Sequence, residues 1–235
     1  MISSFAIIVF AALIHASFQL SVSMLTLLSG HAIGAKTAHS KLLRLTNMFS
    51  LGVALMTMLV LSFIALVTQL IFGDIIPPIA WAASCGLLLG LGIAVWAFYY
   101  RKEKGTSLWI PRGMARYLTD RTKATKQSAE AFGLGMTSVI AELLFVIAPI
   151  VVAALTLISL APLWQLAGIL LYTLISLLSL LVVNGLIGSG HTLGGIQKWR
   201  EENKRFLQFA AGSGLLILGA YLYVEKIIAV SSGGL

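Results

Sequence analysis

"FGLGMTSVIAELLFVIAPIVVAALTLI", residues 132–158, carries one charged residue, Glu142, in a run long enough to cross a bilayer as a helix. A soluble domain has no use for such a stretch. Its neighbours repeat the pattern. Apolar runs also cover Ser4–Leu28, Asn47–Phe72, Ile79–Tyr100, Leu163–Ile187 and Phe206–Val224. With Ala131–Ile158 these make six predicted spans, each at or near the ~20 residues a crossing needs. Composition agrees, since the 235 residues are 59% hydrophobic and only 10% charged. The fold class read from the sequence is an all-α, polytopic membrane protein of one transmembrane domain.

The charges then orient the spans. Three basic residues (Lys36, Lys41, Arg44) lie between spans one and two, and eight between spans three and four (Arg101, Lys102, Lys104, Arg112, Arg116, Arg121, Lys123, Lys126). Four more (Lys198, Arg200, Lys204, Arg205) lie between spans five and six. The connections "GDIIPP" and "SLAP" have none, and only Lys226 sits on the far side. The positive-inside rule places the basic loops in the cytoplasm and both termini outside. The net charge of +8 is therefore a topology signal and not a nucleic-acid footprint. The N-terminal apolar run has no basic residue before it and continues past Leu20, which reads as a retained span rather than a cleaved signal. The single cysteine, Cys85, excludes an intramolecular disulfide and a two-cysteine relay. The expected location is a cell membrane, the bacterial cytoplasmic membrane in the first instance.

Residues 101–129 form the one long loop. In "LWIPRGMARYLTDR", Trp109, Ile110, Met114, Tyr117 and Leu118 recur at helical spacing among arginines. That pattern suits an amphipathic helix on anionic lipid, with a docking surface or gate as the sharper alternative.

Polar residues inside spans are expensive, so they lead the search for a site. Glu142 is the one acidic residue near the middle of a span, with Ser138 and Gly135 on its face. Pro149 withdraws a helical hydrogen bond downstream, and Gly133 and Gly135 add freedom to distort. In the first span His15, Gln19 and Ser23 share a stripe, flanked by Ser17 and Ser21. Facing Glu142 they would form a polar cluster near the bilayer midplane. Glu142 is then an ion-binding or proton-carrying residue, against the alternative of a structural, hydrogen-bonded carboxyl. His15 reads as metal ligand, proton carrier or hydrogen-bond partner. For Gln19 and the serines, interhelical packing is the default reading. Tyr172, Ser176 and Ser179 share a face of the fifth span, with Asn184 beyond them. Ala82, Gly86, Gly90 and Ala94 form a small-residue seam for the bundle interior, a homodimer or another membrane protein.

Two phrases echo each other, "SGHAIG" at 29–34 and "SGHTLG" at 189–194. His31 and His191 would need a further ligand to hold a transition metal, and neither phrase contains Cys, Asp or Glu. Helix-end punctuation is the favoured reading; His39 stands apart from both. No cofactor is expected.

Three spans per half allow an inverted repeat, about 4–100 and 130–226 around the basic loop. "FAALIHASFQLSVSML" set against "FGLGMTSVIAELLFVIAP" with a one-residue gap aligns Gln19 with Glu142. This pattern, with "WREENKRFLQFAAGSGLLILGAYLY" at the end, resembles the six-span superfamily that includes LysE-type exporters and CcdA/DsbD-type thiol transporters. CcdA-like members carry a cysteine beside proline in the first and fourth helices. Here those places hold His15 to Gln19 and Ala141–Glu142, so thiol transport is not carried over. What the resemblance implies is export or exchange of a small solute or ion by alternating access.

The sequence-based expectation is a transporter exporting a cation, a divalent metal included, or a small organic solute, with Glu142 binding or coupling. A non-transporting subunit or scaffold of a larger complex is the alternative. No recognisable catalytic set is present, so an enzyme is not expected.

Overall fold

A computed structural model describes residues 1–19, 39–73, 75–98, 127–190 and 193–229. Ser23, His31, His191 and nearly all of the basic loop lie outside them. The described residues are helical, with no strand among them. In chain order they form α1 (Ile2–Gln19), α2 (His39–Phe72), α3 (Pro78–Phe98) and α4 (Ser128–Ile158). Then come α5 (Pro162–Ser176), α6 (Leu178–Gly188), α7 (Leu193–Glu202) and α8 (Lys204–Tyr223), the last running into a π-helical turn at Val224–Ile228. Five helices are long and apolar enough to cross a membrane: α1, α2, α3, α4 and α8 with its π turn. The pair α5 and α6 qualifies together, bent by 47°, and brings the number to six if it is one crossing. Helices of this length and apolarity suit a multi-pass membrane protein, and their outward faces carry Leu59, Phe63, Leu66, Leu174, Leu181 and Ile217.

Local chemistry explains where the helices begin and end. Proline opens α3 and α5, where its missing N–H costs nothing. The N–H of Gln127 donates to Glu130 at 3.1 Å ahead of α4. Gly73 (φ 68°) and Gly190 (φ 88°) take the left-handed conformation just past α2 and α6. Gly190 belongs to the second histidine phrase, so "SG" there does the work of ending a helix. The amide of Gln208 donates to the carbonyls of Val95 (2.7 Å) and Trp96 (2.9 Å), in the last turn of α3, where helical partners run out.

α4 is the central helix. Of its most apolar window 72% is buried, against 22% for α2 and 50% for α1. It packs on α1, α2, α3 and α5. Side-chain contacts set the directions. Phe5 meets Trp164, Ile8 lies by Gly168, and His15 meets Tyr172, so α1 and α5 run the same way. Leu157 also lies against Gly168, while Phe18 stacks on Phe145, so α4 runs opposite to both. Gly92, Gly212 and Gly219 let α3 and α8 pack in opposite directions, with Trp96 stacked on Phe209. This alternation is what repeated crossing of one bilayer demands.

α2 and α4 approach backbone to backbone. A Cβ on Gly52 would stand 2.1 Å from the Phe132 carbonyl oxygen, and one on Gly135 would stand 2.1 Å from that of Phe49. Any side chain at either position must drive the helices apart. Gly133 and Gly86 have open space. Pro149 is buried inside α4, which remains one helix through it. The sharp bend lies instead between α5 and α6, at Leu177.

Replacing Gly135 or Gly52 by leucine should destabilise the purified protein by at least the ~1–3 kcal/mol of ordinary overpacking. Thermal unfolding in detergent measures it, and Gly86→Leu, with open space around it, should leave the midpoint unchanged.

Candidate functional site

The site begins with the hydrophobic core, which is not continuous. A larger cluster holds Ile7, Ile8, Ala11 and Phe18 of α1, Leu61 of α2, Phe145 and Val146 of α4, Tyr172 of α5, and the interior of α3 and α8. A smaller one holds Phe49 and Val53 of α2, Leu134, Val139 and Ala141 of α4, and Leu177 and Leu180 around the bend. At the boundary each helix that reaches it carries a polar residue. α2 has Thr57 between Val53 and Leu61. α4 has Glu142 between Ala141 and Phe145. The bent pair has Ser176 between Tyr172 and Leu177, and α1 has Gln19 next to Phe18. Thr57, Glu142, Ser176 and Gln19 are all fully buried, as are His15, Ser138 and Tyr172.

Two hydrogen bonds tie α1 to the bent pair. His15 Nδ1 lies 3.0 Å from the Tyr172 hydroxyl, with the rings tilted at 54°. The Ser179 hydroxyl donates to the Ala16 carbonyl at 2.6 Å. Ser17 turns back on its own helix, donating to the Ile14 carbonyl at 2.6 Å. The bonds from Tyr172 and Ser179 stand on either side of the bend at Leu177. Thr173 donates to the Ile169 carbonyl (2.8 Å) and Ser176 to the Thr173 carbonyl (2.9 Å). Such back-bonding tilts carbonyls off the helix axis and favours bending, so the hydroxyls supply a cause where no proline does.

The Phe18–Phe145 stack (centroids 5.8 Å apart, 12° between planes) sets the register of α1 on α4. Gln19 follows Phe18, Glu142 precedes Phe145 by one turn, and the helices run oppositely. The amide and the carboxyl therefore stand at one level. On α4, Ser138 turns its hydroxyl to the Gly135 carbonyl at 2.8 Å. Neither amide atom of Gln19 has a hydrogen-bond partner among the described residues, nor does His15 Nε2 or the Thr57 hydroxyl.

Of the residues singled out by sequence, Gln19 and Glu142 stand at the boundary between the clusters with Ser176, while His15, bonded to Tyr172, lies one turn into the larger cluster and Ser138 one turn into the smaller; all are buried. Thr57 was missed, although it lies on the Phe49–Val53–Thr57–Leu61 stripe of α2. Asn184, which the sequence puts beyond that face on the fifth span, lies on α6. Its amide donates to Ser50 (2.9 Å) and Asn47 (3.3 Å), clamping α6 to α2 away from the layer. Among the described residues no group of three or more His, Cys, Asp or Glu is placed to hold a metal ion. Compared with family models, curated proteins and solved structures, the chain matches none.

Tyr172→Phe keeps the packing and strands His15 Nδ1 in an apolar site. It should lower stability by ~1–3 kcal/mol. Chemical or thermal unfolding in detergent checks this, and the combined change with His15→Leu should recover part of the loss because both polar partners are then gone.

Proposed function

We propose that this protein is a six-span membrane transporter for a small polar solute or ion, with Glu142 as its binding or coupling residue. One observation carries the reading: a fully buried polar layer, contributed by four helices or helix pairs, divides the apolar core of a membrane bundle. Such a layer is costly, and protein interiors keep one where a solute or proton must be met. The bend at Leu177 lies in the same layer, as expected of a span that lines a transport site.

The chemistry follows from the parts. Glu142 supplies a carboxyl able to hold a cation or a proton. His15, anchored by Tyr172, holds a second exchangeable proton position on the facing helix. The two core clusters on either side of the layer act as the packed ends, and alternating access needs one to loosen while the other stays closed. Export fits the family likeness seen in the sequence. The metal-ion version of the reading lacks a ligand set among the described residues. Close packing at Gly52–Gly135 and at the α3–α8 seam gives two helix pairs stiff enough to tilt as units about the layer.

A second reading, a membrane subunit that carries nothing, has one feature in its favour. Gly86 and Gly90 of α3 face open space, with Ala82 exposed beside them, a strip that suits another helix.

Glu142→Gln decides between them. Proteoliposomes would be challenged with amino acids, carboxamides and monovalent cations, following currents or internal pH. Wild type should move at least one of these, and the variant should fall to the empty-vesicle rate while eluting as a folded protein. Equal flux in wild type and variant sinks the transport role of Glu142; a stoichiometric partner protein with no flux would favour the subunit.

A further inference from the structure

The amide of Gln19 is the most exacting group in the layer. It is fully buried, and both its nitrogen and its oxygen lack a hydrogen-bond partner among the described residues. One turn before it on the same face of α1 stands His15, whose Nδ1 is held by Tyr172 and whose Nε2 is also without a partner. Residues four apart on a helix are neighbours, so three polar atoms are grouped on one face. A buried amide left unsatisfied is unfavourable, so the site is built for an occupant.

The atoms specify what occupant. A primary amide presents N–H donors and a carbonyl acceptor side by side in one plane. A bare cation satisfies the oxygen and opposes the NH₂. A carboxylate satisfies the NH₂ and opposes the oxygen. A planar group with one donor and one acceptor on a single edge satisfies both, and two chemical classes have that edge: a carboxamide and an undissociated carboxylic acid. His15 Nε2 adds a third contact whose sense follows its tautomer. When the Tyr172 hydroxyl donates to Nδ1, Nε2 carries the hydrogen and donates.

We infer that Gln19 and His15 form a recognition edge for a small solute bearing a carboxamide or an undissociated carboxyl group, with Gln19 as the specificity-determining residue. This inference rests on the transport-site reading and narrows its substrate class.

The test uses the full chain in lipid nanodiscs, with acetamide, acetic acid and methylammonium chloride as probes and thermal unfolding as readout. Acetamide at neutral pH should raise the midpoint of wild type but not of Gln19→Leu, the variant correcting for general solute effects. Acetic acid should do so only at a pH acid enough to leave it undissociated. Stabilisation by acetamide assigns an amide and stabilisation by the acid alone assigns a carboxyl; both support the inference. Stabilisation by methylammonium alone, or by none of the three, overturns it. Without any probe, Gln19→Leu should melt higher than wild type by ~2–4 °C, because an unsatisfied amide has gone. A lower midpoint means the amide is already satisfied and overturns the inference. Gln19→Met, unbranched and of similar length, repeats the measurement if the leucine variant fails to fold, and failure of both also overturns it. Binding without flux in the Glu142 experiment retires transport and leaves the site; flux without binding does the reverse.

Discussion

A polar group in the middle of an apolar bundle must find its partner in the protein or in what the protein binds, because lipid offers none. That constraint organises this structure. α4 brings a carboxyl, Glu142, into the fully buried interior, and the other helices carry fully buried polar residues around the boundary between the apolar clusters. α1 offers His15 and Gln19, α2 offers Thr57, and the bent pair offers Tyr172 and Ser176. The apolar residues then have no continuous volume to fill. Around the polar residues they segregate into a larger and a smaller cluster, with a third, small one of Val183, Ile187 and Ile196 at α6 and α7.

Close packing around that layer depends on what is missing. Glycines at 52 and 135 let the backbones of α2 and α4 touch just to one side of it, within the smaller cluster. On the other side Gly168 lets the Leu157 and Ile8 side chains close over α5. Association between membrane helices has little hydrophobic drive, because lipid tails are as apolar as leucine, so contact of this kind carries much of the stability. It also leaves the layer itself as the part of the interior where polar atoms, bonded at His15–Tyr172 and unpartnered at Gln19 and Thr57 among the described residues, replace interdigitated apolar side chains.

Much of this was legible in the sequence. Length, apolarity and the uneven distribution of lysine and arginine point to a multi-pass helical protein, and the cost of intramembrane polarity singles out Glu142, His15, Gln19 and Ser138 from the sequence alone. What one-dimensional pattern could not supply was partnership. In the sequence Tyr172 and Ser179 show only a shared face of one span; in the structure they bond α1 on either side of a bend. The bend was sought near Pro149, the residue that forbids a helical hydrogen bond. It lies at Leu177, where hydroxyls three residues apart borrow backbone carbonyls. Thr57 looked like any β-branched residue of an apolar run, because its burial depends on where α2 crosses α4. The glycine contacts were invisible for the same reason: Gly52 in "FSLG" and Gly135 in "FGLG" matter only once the two phrases face each other.

The coincidence of bend and layer bears on how the bundle would move. Tyr172 and Ser179 hold α1 from the two arms of the bent pair, so a change of angle at Leu177 strains one bond or the other. The tyrosine bond ends on a titratable ring and the serine bond on a fixed backbone carbonyl. Only the first responds to what occupies the layer, since a ligand or proton taken up by His15 changes which of its nitrogens can accept. On the transport reading proposed above, the Ser179–Ala16 bond, indifferent to occupancy, would be the pivot, and the His15–Tyr172 bond the one whose making and breaking would couple the contents of the layer to the angle of the span.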